Sequence, residues 1–194
     1  AACSNTPPPP DWQMNARSAM DSFVQAYMTG NTRVEEVEFA RARQALASTG
    51  KADLIARAEL LRCAARVASL ANLAPEPCAG FEALRADASA PERAYADYLS
   101  GKPVDAALLP PAQRNATLSS IEDPFSRLLA AGVAFQAGRA NTEVIQQAVD
   151  AASAQGWRRP LLTWLGVQAQ RAESAGAVDE AARIRRRMVL VGGE

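Results

Sequence analysis

The sequence predicts an all-α fold of antiparallel helical hairpins with no β-sheet, and three observations carry that prediction. Apolar residues recur at spacings of three and four over most of the chain. No segment alternates apolar and polar residues as a half-buried strand does. Glycines fall at helix-length intervals, at Gly30, Gly50, Gly138, Gly156 and Gly176, where C-terminal caps belong. With 194 residues, 48% hydrophobic and 22% charged, the chain is long enough to bury a core without help from a metal.

Trp12, Ala16, Ala19, Phe23 and Tyr27 share one face of a first helix, which Gly30 stops. Asn31 or Thr32 caps a second helix, which opens with Glu35 and Glu36 near its positive end. It carries Val34, Val37, Ala42 and Leu46 and stops at Gly50. A third helix runs from about residue 52 to 71. Leu54, Ala58, Leu61 and Ala65 line one side of it while Leu60, Ala64, Val67 and Ala71 line another, so it is central and buried on two faces. Pro75, Pro77, Pro91, Pro103, Pro110 and Pro111 then break residues 74–122 into short pieces. Helices are expected around 80–86 and 91–99, followed by an irregular connection at 108–117 that is either a functional loop or a simple crossover. Asp123-Pro124 reads as an N-cap followed by proline at the first helical position. Four helices follow, over 125–137, 142–155, 161–175 and 178–190. The expected organisation is a tether over 1–10 and one domain over 11–194. That domain comprises three helices (11–73), a short-helix segment (74–122) and two helical hairpins (123–191).

Gly138 and Gly176 lie 38 residues apart, each following an alanine inside a helix–turn–helix. The run Ala175-Gly176-Ala177-Val178-Asp179-Glu180-Ala181 resembles the turn and second-helix start of tetratricopeptide repeats, with Ala169 and Ala181 where that family wants small residues. The spacing exceeds the family's period of about 34 residues, and its aromatic signature positions are largely absent. The resemblance covers roughly the last 70 residues and implies tetratricopeptide-like hairpins, whose stacking presents a concave surface for partners.

The chain opens Ala1-Ala2-Cys3-Ser4-Asn5-Thr6, followed by the four prolines Pro7–Pro10. Small residues ahead of a cysteine are similar to the cleavage site of bacterial lipoproteins, with Cys3 matching the acylated position. The resemblance implies lipid on Cys3, and Ser4 in the next position implies sorting to the outer membrane, on the periplasmic side. Four prolines favour an extended polyproline II tether, so the stretch from Cys3 to Asp11 reaches about 25 Å. In such an oxidising compartment Cys63 and Cys78 are the pair expected to form a disulfide, with two buried thiols as the alternative.

Several chemistries are excluded. The chain has no histidine, so no Ser-His-Asp or Cys-His site can be built within it. With 21 basic and 21 acidic residues its formal charge is zero, and no global field draws it to nucleic acid. No apolar run is long enough to span a bilayer. No glycine-rich phosphate loop follows a strand, and no cofactor is expected. Glu35, Glu36 and Glu38 read as partners of a helix macrodipole rather than a catalytic pair. Arg158 and Arg159, with Arg183, Arg185, Arg186 and Arg187 on the last helix, form a candidate patch for lipid phosphates or an acidic partner. The competing reading is a set of cations near a helix terminus. Trp12, Trp157 and Trp164 read as packing anchors.

The expectation for function is a periplasm-facing, membrane-anchored scaffold that binds an envelope protein partner, attached through N-terminal acyl chains and performing no bond chemistry. The alternative is a carrier of a lipid or other apolar ligand. An enzyme would need carboxylates alone to converge in one cleft.

Overall fold

The computed structural model describes residues 7–71, 77–114 and 117–193. Among them every regular element is a helix and none is a strand. The longer helices are α1 (Asp11–Thr29), α2 (Thr32–Ala47), α3 (Ala52–Ala68), α5 (Ala90–Leu99), α6 (Pro124–Gln136), α7 (Thr142–Gln155), α8 (Arg158–Ser174) and α9 (Val178–Gly192). A single-turn α4 (Ala79–Glu82) lies between α3 and α5, and four 3₁₀ turns punctuate residues 85–120.

Local chemistry sets the starts of these helices. Asn31 and Asn141 accept the backbone N–H of Val34 (3.3 Å) and Val144 (2.9 Å), and Asp123 accepts that of Ser126 (2.7 Å) ahead of Pro124. The expected third helix reaches only Ala68. Leu70 turns to φ +56°, and the Ala71 N–H closes back onto the Arg66 carbonyl at 2.8 Å. This is a left-handed cap made without glycine, at a cost of about 1 kcal/mol. The helix expected from 161 begins instead at Arg158, because Pro160 is tolerated within a first turn whose N–H groups have no intrahelical acceptor. The piece expected at 80–86 shrinks to α4 and a 3₁₀ turn at Arg85–Asp87.

Consecutive helices pack as hairpins: α1 on α2, α6 on α7, α7 on α8 and α8 on α9. Helix α3 is the hub, touching α1, α2, α4, α5 and α6. Its Ala56, Ala64, Ala65, Val67 and Ala68 have no solvent exposure, as its two apolar faces require. At its C-terminal end the Ala68 carbonyl, one of the four that no helical N–H can reach, accepts Trp164 Nε1 from α8 at 2.9 Å. The adjacent Ser69 Oγ bonds Tyr27 of α1 at 2.7 Å. Trp164 is fully buried and meets Phe135 edge-on, with ring centroids 5.9 Å apart. Cys63 and Cys78 form the expected disulfide, with Cα atoms 5.0 Å apart, which clamps α4 onto α3. The core runs as one cluster from Ala16 to Ile184.

Candidate binding groove

An open apolar groove of about 600 Å³ lies between α3, α5 and residues 107–114. Leu60 and Leu61 form its floor, Tyr95 and Pro91 one wall, and Leu108, Leu109, Pro110 and Pro111 the other. Its volume falls within the range of about 300–1,000 Å³ typical of ligand sites. A second depression of about 310 Å³, lined by Trp12, Ala16 and Met20 of α1, shares Arg57 and Leu61 with the first. The two therefore meet along one face of α3, near the point where the chain emerges from Pro7–Pro10.

Each wall has a definite cause. Ser89 and Glu92 form a reciprocal cap at the start of α5: Ser89 Oγ accepts from the Glu92 N–H and a Glu92 oxygen accepts from the Ser89 N–H at 2.8 Å. The other Glu92 oxygen accepts Arg57 Nε at 2.7 Å, joining α5 to α3 across the groove. Burial pushes the Glu92 carboxyl up, but the bonds from Arg57 and Ser89, with the Arg57 charge, together hold it below the ordinary glutamate value. The opposite wall is braced by Arg114, which donates to the Leu109 carbonyl at 2.7 Å and the Ala107 carbonyl at 3.2 Å. It docks on α5 where Tyr98 donates to the buried Gln113 at 2.8 Å. Desolvation raises Tyr98 to about 12 and Tyr95 further still, so both stay neutral phenols at physiological pH. Arg17, Arg57 and Arg114 stand on the rim; neither Arg17 nor Arg114 has a carboxylate partner among the described residues. The arrangement is suited to binding, with apolar area for affinity and a few cations for orientation.

The arginines singled out in the sequence are dispersed. Arg158 donates to the Val191 and Gly192 carbonyls at 2.8 and 2.9 Å, capping the end of α9. Arg159 lies over the Tyr27 ring at 4.1 Å and pairs with Glu35 at 2.7 Å, tying α8 to the α1–α2 hairpin. Arg187 donates to Ser153 at 3.0 Å and Arg185 to Glu173. Arg183 and Arg186 point outward, Arg183 with Glu180 at 3.9 Å. Trp157 and Trp164 are buried, whereas Trp12 is half-buried against the second depression. Cys3 lies outside the described residues. The Ser89-x-x-Glu92 spacing with Pro91 is a capping-box signature that could have located the groove's charged corner. By contrast, nothing local in the sequence marks Arg57 as the partner of Glu92.

Among the described residues no three Cys, Asp or Glu side chains converge as a metal site, and no helix is long and apolar enough to cross a membrane. The fold and groove define the class as an all-α helical-hairpin protein with an open apolar groove. Compared with known proteins, the chain matches no family model, no curated protein and no solved structure.

Proposed function

We propose that this chain is a lipid-tethered recognition module, anchored through Cys3 to the periplasmic side of the outer membrane. In this reading its groove binds an apolar segment of an envelope protein, without bond chemistry. The observation that carries the reading is the continuous apolar face over Leu60, Leu61, Tyr95 and Leu108, rimmed by Arg17 and Arg114, which have no carboxylate partner among the described residues. Those cations select a segment whose apolar stripe is flanked by Asp or Glu. The tetratricopeptide-like reading of α6–α9 belongs to the same proposal, although none of those helices lines the groove. An open trough suits a peptide that keeps one face in water better than it suits a sequestered lipid.

The test places a photo-crosslinking side chain at Leu108 in intact cells. The expected product is a discrete protein adduct, mapped to an apolar segment with acidic flanks and abolished by L61E. A lipid adduct would support a carrier, and no adduct at all would overturn the binding role. C3A should shift the protein from the membrane to the soluble fraction; if it stays membrane-bound, the tether proposal fails.

A further inference from the structure

On the other side of α3 lies a separate cavity of about 650 Å³, sharing no lining residue with the groove. Its floor is Phe23 and Phe39, and its walls come from α2, α3 and α4. At one end Glu59 is nearly fully buried, with one oxygen taken by Arg43 and the other by Arg62 at 2.5 Å. Arg62 also stacks on Phe39 at 4.3 Å. Arg66 lines the same end and forms no ion pair among the described residues. One buried carboxylate therefore holds two guanidinium groups, and Arg66 adds a third to the lining of the same cavity. Glu35 and Glu36 line the opposite lip, where Glu35 is already engaged by Arg159.

A buried carboxylate is expensive, and its desolvation can exceed what its ion pairs return. Here its effect is orientation: it fixes two planar forks, each offering five N–H donors of which Glu59 uses only one. Fixed guanidinium forks match the oxygens of a tetrahedral oxyanion. We propose that this cavity binds a phosphate monoester group, gripped by Arg43, Arg62 and Arg66, with Glu59 as the positioning residue. Burial, the largest cause, together with the neighbouring Arg66 and Arg43 charges leaves Arg62 below its ordinary pKa despite Glu59. The disulfide completes the site, since it holds Gly80 and Ala83 of the α4 wall against α3.

The test is calorimetric titration of the full chain with inorganic phosphate at low ionic strength, against chloride at matched ionic strength. Saturable binding specific to phosphate is expected. R66A should weaken it by about tenfold, the loss of one charge-assisted hydrogen bond, and R66K by less. Neither change should lower the urea midpoint of the phosphate-free protein, because the Arg66 side chain makes no hydrogen bond or ion pair among the described residues and its charge opposes that of Arg62. Co-sedimentation with phosphatidylcholine vesicles, with and without phosphatidic acid, separates the sources. Pelleting that free phosphate competes away identifies a lipid headgroup, whereas phosphate binding without pelleting identifies a soluble phosphate compound. Absence of saturable binding above the chloride control, or unchanged affinity in R66A, overturns the site.

Discussion

Gly132 of α6 rides directly on the backbone of Val67 in α3: a methyl group added to Gly132 would stand 2.2 Å from the Val67 carbonyl oxygen. Backbone cannot swing aside as the end of a side chain can. The α3–α6 contact that joins the two halves of the core therefore depends on a missing side chain. G132A should destabilise the protein by about 1–3 kcal/mol through overpacking, despite alanine's better helix propensity. Urea unfolding followed by circular dichroism checks this; an unchanged or raised midpoint would show that the helices separate freely.

Trp164 presents a complementary case, in which a side chain serves a distant backbone. W164F keeps an aromatic ring in the site but removes the only donor to the buried Ala68 carbonyl found among the described residues. A loss of about 1–3 kcal/mol is expected for the stranded acceptor, with a further cost for the space vacated. The unfolding midpoint of W164F against wild type reads this directly.

The Cys63–Cys78 bond closes a loop with a sequence separation of 15. Replacing both cysteines with alanine should remove about 3 kcal/mol, the chain-entropy value for a loop of this size. The unfolding midpoint of wild type should fall in reductant, and that of the double variant should not. Equal sensitivity of the two proteins to reductant would contradict a structural disulfide.

Acid should weaken the fold at α4 and α5. Both Glu92 and Glu82 lie below the ordinary glutamate value of 4.5 in the folded chain. For Glu82, the Arg85 hydrogen bond is the main cause; for Glu92, burial opposes the shift and the Arg57 and Ser89 bonds outweigh it. A depressed carboxyl contributes its full stability above the unfolded value and loses it as pH falls through the folded one. Stability should thus decline progressively below about pH 4.5. E92Q should flatten part of that decline while lowering stability at neutral pH. A pH profile for E92Q parallel to wild type would rule out this linkage.

The helices were legible because their causes are local. Periodicity placed the two apolar faces of α3, Asp123-Pro124 marked the start of α6, and Gly156 marked the end of α7. The boundary misread at 69–71 has a tertiary reason. Leu70 adopts a left-handed conformation that glycine usually supplies, in a stretch where Tyr27 holds Ser69 and Trp164 holds Ala68. The arginine patch shows the opposite problem. Arg158 and Arg183 look alike in sequence, yet one closes the end of a helix and the other faces solvent.

From the sequence alone came the all-α class and the hairpins of the second half; the pairing of Cys63 with Cys78 was expected only from the compartment that the lipoprotein resemblance implies, and the structure decided it over two buried thiols. The first two follow from side-chain period and turn chemistry within a short span. Tertiary structure alone decided that Glu59 would be buried between Arg43 and Arg62, that Arg57 would reach Glu92 across 35 residues, and that Leu60, Leu61 and Leu108 would share one groove. Such partnerships depend on which faces meet once the core closes, and that distance-dependent outcome leaves no local pattern to read.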